Sequence, residues 1–435
     1  MNLPEIFRAA ILHTPTNPFT SDRALVAHDD GGLLIADGRI VACGDFASVR
    51  AGAPDATVVD WRGGFVVPGF VDTHLHFPQL RIIGGLGRSL LDWLEHVALP
   101  EEARMADITH ATAVARGFVH ALASHGTTTA LVFGSHFVDA TAALFDAADR
   151  AGLRLVSGLV VSDRLLRPEL HRSPSDAYRD SSALIQRYHK RGRLLYAVTP
   201  RFALSASEAM LEICQSLMSE RDGLRFQTHI NENLGEIAEV ARLFPWATDY
   251  LSVYERYRLG GRGAVMAHDV HAGDDELARL AAAGTSIAHC PCSNAALGSG
   301  VFPLARHLAA RVHVALGTDV GGGTGFGMLK EGLQAYLMQR IAPENVTLSP
   351  AHLLYLATLA GAEALGLEHD IGDLSAGKAA DFVYLRADSD TPLGASLDRA
   401  ESLDQSLAAL FTLAGAESVR EVRVDGLVVH RAHVS

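Results

Sequence analysis

Two histidines spaced i and i+2, His74 and His76, close the apolar run Phe70-Val71-Asp72-Thr73-His74-Leu75-His76. Side chains of an extended strand alternate faces, so both imidazoles project to one side and can share a metal ion. His-x-His alone is a weak signal in a chain with 21 histidines. Three further segments repeat the arrangement of an apolar run with a metal-competent side chain near its end: Gln227-Thr228-His229-Ile230-Asn231-Glu232, Met266-Ala267-His268 and Leu316-Gly317-Thr318-Asp319. Four such ends point to one site. Imidazole and carboxylate ligands around an open coordination position suit zinc or a similar divalent ion, which lowers the pKa of a bound water to about 7; the chemistry of such a site is hydrolysis. Glu232 follows His229 by three residues and can exchange a proton with that water if the chain turns there. Its competing role is a helix N-terminal carboxylate stabilised by the dipole. His268 fits either a fourth imidazole ligand or a group that polarises the substrate and orients the water, and the second role is preferred. His289 and His271 also fall near strand ends, where a histidine is often only a hydrogen-bonded core residue; His271 is the weaker candidate.

Bringing those side chains together requires a scaffold that gathers strand ends. Strand-like runs alternate with alanine-rich helical stretches, the rhythm of a parallel sheet. Eight runs qualify, at 66–76, 127–133, 154–161, 194–202, 224–232, 264–271, 285–294 and 312–319. Eight suits a closed α/β architecture, the (β/α)8 TIM-like barrel, whose reacting groups sit at the C-terminal ends of strands. His74, His76, Arg201, His229, Glu232, His268, His289 and Asp319 all fall there. An open doubly wound sheet is the alternative, but no glycine-rich phosphate turn follows the first strand. Short strands and turns occupy both ends of the chain, with Asp37-Gly38 and Asp425-Gly426 as hairpin turns, and the two ends are expected to pair.

Bulk properties narrow the function further. At 435 residues and 48% hydrophobic composition the chain can bury a core large enough for a deep pocket. Lys and Arg number 37 against 50 Asp and Glu, a net charge of −13 without a dense basic run, so nucleic acid and anionic membrane surfaces are not expected partners. Cys43, Cys214, Cys290 and Cys292 form neither a disulfide framework nor paired C-x-x-C spacing and read as reduced thiols, which with the absence of a signal-like N-terminus or a bilayer-length apolar stretch leads us to expect a cytoplasmic protein.

The run Pro68-Gly69-Phe70-Val71-Asp72-Thr73-His74-Leu75-His76 resembles the first-strand signature of the amidohydrolase superfamily, and the order of motifs is similar along essentially the whole chain. Within it the guanine deaminase family is the nearest resemblance. It rests on His76-Phe77-Pro78-Gln79, Leu90-Leu91-Asp92-Trp93-Leu94, Pro200-Arg201-Phe202, His229-Ile230-Asn231-Glu232-Asn233, His289-Cys290-Pro291-Cys292-Ser293-Asn294, Leu297-Gly298-Ser299-Gly300-Val301-Phe302-Pro303-Leu304 and Gly317-Thr318-Asp319-Val320-Gly321-Gly322-Gly323-Thr324. The resemblance implies a barrel over residues 67–373 and a small composite β-sandwich from residues 1–66 and 374–435, with Gly377-Lys378-Ala379-Ala380-Asp381-Phe382 as the return into it. It implies one zinc per chain held by His74, His76, His229 and Asp319, ligands that iron, cobalt or manganese also accept. Glu232 then shuttles protons, Asp319 takes one from the attacking water, His268 stands beside that water, and Gln79, Arg201 and Phe202 recognise guanine. The implied reaction is attack of hydroxide on C2, giving xanthine and ammonia, in a cytoplasmic homodimer.

Two positions depart from the family's usual pattern: Asn231 stands where serine is more frequent, and Asp269 where a cysteine or small residue follows the sixth-strand histidine. Neither removes an expected ligand. The segment after Trp93 is also a looser match. The nearest rival is a related hydrolase deaminating another purine, a pterin or a triazine, which would tolerate loss of Gln79 and Arg201. A two-metal enzyme needs a carboxylated lysine at the fourth-strand end, where Thr199-Pro200-Arg201-Phe202 offers none. A non-catalytic barrel would have lost ligands or the acid/base, and all are present.

Overall fold

The protein is described by a computed structural model over residues 4–432. Eight parallel runs follow one another around a nearly closed barrel: Phe70–His76, Thr127–Phe133, Arg154–Gly158 continued by Val160–Val161, Leu194–Pro200, Arg225–Ile230, Ala264–His268, Ser286–His289 and His313–Leu316. The first two are buried at every position, as strands covered on both faces must be. Backbone bonds from Asp319 N to His74 O (2.8 Å) and from His76 N to Val320 O (2.7 Å) join the last segment back to the first. The ring therefore closes at the metal-competent end.

Helices pack outside the strands and are stopped by recognisable chemistry. Asp107 caps Ile108–Ser124 by accepting from the backbone of Thr109 and His110, and Val138–Ala151 ends on Gly152 in the left-handed region, where glycine carries no Cβ penalty. One continuous apolar core runs between strands and helices.

The two chain ends do pair, in a seven-stranded sheet ordered Leu427–Arg431, Val419–Val424, Phe382–Leu385, Thr57–Pro68, Glu5–His13, Val26–Ala36 and Arg39–Asp45. Phe7, Trp61 and Phe382 cluster on one of its faces, with Phe7 4.7 Å from Trp61 and 5.3 Å from Phe382 between ring centroids. Both expected hairpin turns have positive φ at both central residues, Asp37 and Gly38 at 48° and 78°, Asp425 and Gly426 at 47° and 74°. Six of the eight expected barrel strands are shorter than the pattern suggested, the first and seventh for plain reasons. Residues 66–68 belong to the terminal sheet, so the first barrel strand begins at Phe70, and the seventh ends at His289 because Pro291 opens the helix Pro291–Ala296.

Candidate active site

His74 and His76 end the first strand on the same face, as alternation requires, with ring centroids 5.0 Å apart. His229, from the end of the fifth strand, brings its Nε2 to 3.2 Å from that of His76. Asp319, just beyond the eighth, sets Oδ1 3.3 Å from His74 Nε2 and 3.5 Å from His76 Nε2. Two ligands bound at about 2.0–2.1 Å in a tetrahedron lie roughly 3.4 Å from each other. The spacings suit two overlapping groups that could hold an ion, His74, His76 and His229 together and His74, His268 and Asp319 together. His229 Nδ1 donates to Arg201 O at 2.6 Å, which turns the Nε2 lone pair inward, and His74 Nε2 is buried without a hydrogen-bond partner.

The electrostatics suit a cation. Burial holds His74 below the ordinary imidazole pKa and, with the neighbouring rings and Arg201, holds His76 and His229 well below it, which favours the neutral form that metal binding requires. Burial pushes Asp319 up, but the neighbouring His74, His268 and Ser293 outweigh that and keep its carboxyl below the usual range. Phe133, at the end of the second strand, packs against His74, His76 and His229 with centroids 5.1, 4.5 and 4.6 Å away. Asp72 fixes the first strand to the eighth, accepting from Thr318 Oγ1 (2.6 Å), Thr318 N (3.0 Å) and His74 N (3.2 Å).

Glu232 points into the same space and does not cap the following helix. Asn233 caps Leu234–Leu243, and Glu236 accepts from the backbone N–H groups of Glu232 and Asn233. Glu232 Oε1 accepts from Ser299 Oγ at 3.1 Å, while Oε2 lies 3.5 Å from His268 Nε2. Burial, then the charge of Asp319, pushes this carboxyl up to about 8. His268 donates from Nδ1 to Asn294 Oδ1 at 2.9 Å, leaving Nε2 towards Glu232 and 4.0 Å from Asp319 Oδ2. Asn231, His268, Asp269 and Asp319 hold positive φ (48°, 78°, 48° and 47°), so backbone strain gathers at this rim. The two unusual residues touch: Asn231 Nδ2 donates to Asp269 Oδ1 at 3.0 Å, and Asp269 Oδ2 meets His307 Nε2 at 3.0 Å.

Against this wall lies a narrow cavity of about 20 Å³, lined by His76, His229, Glu232, His268 and Asp319 on one side and by Gln79, Leu90, Trp93, Leu94, Arg201, Phe202 and Leu297 on the other. Gln79 Nε2 donates to Glu102 Oε1 (2.7 Å) and its Oε1 accepts from Gly321 N (3.0 Å), which leaves one N–H and one lone pair for a ligand. Arg201 is only 3% exposed and sits over Phe202, 5.7 Å from the ring centroid. Its Nη2 meets Glu102 Oε1 at 3.2 Å, whereas Nε and Nη1 are buried with no partner among the described residues. A larger, more open hollow of about 380 Å³ between Lys330 and Phe411 gathers no comparable chemistry.

Every residue expected to hold metal, move protons or read substrate is thus brought to one place. The two uncertain histidines are not. His289 stacks on Phe302 at 4.3 Å and is absent from the cavity lining, and His271 Nε2 donates to Ser299 O at 2.8 Å. Glu102, Ser299, Asn294, Asp72 and Phe133 are the functional neighbours to which sequence reasoning gave no role.

Residues 65–429 match the amidohydrolase family, and residues 31–56 match the bacterial imidazolonepropionase-like composite domain. A protein of Deinococcus radiodurans described as a probable guanine deaminase is 57% identical over 431 residues, covering 98% of each chain. The solved structure of an E. coli guanine deaminase superposes with a TM-score of 0.95 at 39% identity, covering 99% of this chain and all of that one. A C. acetobutylicum guanine deaminase, solved with guanine in its active site, superposes with a TM-score of 0.90 at 25% identity over 98% of this chain and all of that one.

Proposed function

The chain belongs to the amidohydrolase family, and we propose that within it this protein is a guanine deaminase, converting guanine and water to xanthine and ammonia. The relatives similar along the full chain support that reading. The observation that carries it in the structure is Arg201, a buried guanidinium with two unpartnered nitrogens that lines the same cavity as Glu232, His76, His229, His268 and Asp319. Such donors lie unused until a ligand acceptor arrives, and a purine ring oxygen supplies one.

His74, His76, His229 and Asp319 would hold one divalent ion per chain, zinc in this reading, which when bound supplies hydroxide near neutral pH. Arg201 holds the ring oxygen, Gln79 meets the ring edge with its remaining N–H, and the base lies against Phe202. This orientation turns the C2 amino group towards the wall of histidines and carboxylates. Glu232 takes a proton from the attacking water and passes it to the ring nitrogen beside C2. A C–O bond forms at C2, His268 polarising the developing oxygen, and Asp319 accepts the second proton. Return of that proton to the amino nitrogen lets the C–N bond break and ammonia leave. Trp93, Leu90, Leu94 and Leu297 keep bulk water from the ring.

Among the described residues no helix is long and apolar enough to cross a membrane. The reading includes a cytoplasmic homodimer acting in purine breakdown. Its test is ammonia release from guanine, 8-oxoguanine, pterin, adenine and cytosine. Guanine should give the highest kcat/KM; preference for pterin or 8-oxoguanine would overturn the substrate assignment and leave a deaminase of another ring.

A further inference from the structure

Between Gln79 and Arg201 lies a carboxylate that belongs to no strand end. Glu102 sits on the short helix Leu99–Ala103 and is 3% exposed. One of its oxygens, Oε1, accepts from Gln79 Nε2 at 2.7 Å and lies 3.2 Å from Arg201 Nη2. The other, Oε2, is 3.4 Å from Nδ1 of His136, which burial and the nearby arginines hold well below its ordinary pKa. We propose that Glu102 is a positioning residue that orients Arg201 and Gln79 as one base-reading pair, and so sets the preference for rings carrying an oxygen at that edge. The inference rests on the guanine reading.

Three observations support it. Among the described residues the Arg201 side chain has no polar partner besides Glu102, so apart from its contact with Phe202 the direction of its free nitrogens is fixed by this carboxylate. Gln79 follows the first strand and Arg201 the fourth, and among the described residues Glu102 joins them. The helix that carries it is itself pinned: the neighbouring Glu101 lies 3.1 Å from Arg104, 3.5 Å from Arg81 and 3.6 Å from His110. Arg81 belongs to the same turn as Gln79. A buried carboxylate in this position also neutralises a guanidinium that would otherwise stand uncompensated beside a cation site.

A merely structural ion pair predicts that its loss harms all substrates alike. Positioning predicts otherwise. The discriminating pair is guanine and 2-aminopurine, which share the C2 amine and differ in the ring oxygen, measured as substrates and as competitive ligands. In Glu102→Gln, kcat/KM for guanine should fall about 10- to 100-fold, mainly through KM, as expected for a misdirected charge-assisted hydrogen bond. 2-Aminopurine should change by no more than about threefold. Glu102→Asp keeps the charge but is one methylene shorter, and should lose selectivity in the same direction; it serves if the glutamine variant does not fold. Equal losses on both ligands, or none, would overturn the inference. Arg201→Lys separates the two claims. If it collapses selectivity while both Glu102 variants keep it, positioning by Glu102 is wrong; if it leaves selectivity intact, the guanine pocket reading is wrong.

Discussion

Replacing Glu232 by glutamine isolates proton movement from everything else the site does. Shape is preserved: an amide oxygen can still accept from Ser299 Oγ, now at 3.1 Å from Oε1, and the amide nitrogen replaces Oε2 beside His268 Nε2. Glu232 is not among the groups whose spacing fits the ion, so Glu232→Gln should bind metal as the parent does. What it loses is the capacity to take a proton and give it back, a loss of about 10²- to 10⁴-fold in kcat. A second signature follows from burial. With its carboxyl raised from 4.5 to about 8, the folded metal-free protein favours the protonated acid. A raised pKa gives stability that is full below the unfolded value and disappears as pH rises through the folded one. Thermal unfolding of metal-free parent should therefore weaken between about pH 4.5 and 8 relative to Glu232→Gln, which has no proton to lose. Xanthine formation by the metal-loaded variant and Tm of the metal-free pair across that range are the two assays. Near-parental turnover in a metal-replete variant, or a stability gap that does not change with pH, would refute the reasoning.

Arg201→Lys keeps a positive charge but replaces planar donors by a point charge; loss of one buried charge-assisted hydrogen bond, about 1.5–3 kcal/mol, should lower kcat/KM for guanine roughly ten- to hundredfold with metal content unchanged. Asn294→Ala removes the acceptor that orients His268 (2.9 Å), and should lower kcat about 10-fold or more while elemental analysis still finds the metal. Asp72→Ala strands the Thr318 N–H, the His74 N–H and the Thr318 hydroxyl in the barrel wall; about 3 kcal/mol or more of stability should be lost in denaturant unfolding, together with weaker metal binding.

Much of this site was legible because it is built from strand ends. His74 and His76 share a face by the period of the strand itself, and His229, His268 and Asp319 follow because a parallel barrel carries every C-terminal end to one rim. The terminal sheet was announced by Asp37-Gly38 and Asp425-Gly426, whose types match the positive φ they adopt. Residues supplied by connecting segments were not legible. Glu102 reads in sequence as an acid in the first turn of a helix, and only the closing of the ring brings it to Arg201. Ser299 reaches Glu232 from the loop after the seventh strand, and Asn294 reaches His268 from a helix that Pro291 starts earlier than the apolar run implied. Asp72 stood within the most informative motif, but a strand aspartate signals nothing until its partner at Thr318 is in place. The contact between Asn231 and Asp269, each unusual alone, likewise belongs to folded geometry.

The central claim is that one ion, held by His74, His76, His229 and Asp319, serves a pocket that deaminates guanine. Titrating zinc into chelated protein while following xanthine and ammonia tests it most directly. Activity should rise linearly and break at about one equivalent per chain, with the two products formed in equal amounts. A break at two equivalents, with both required, would contradict the single-ion site, and failure to form xanthine at any metal level would contradict the function.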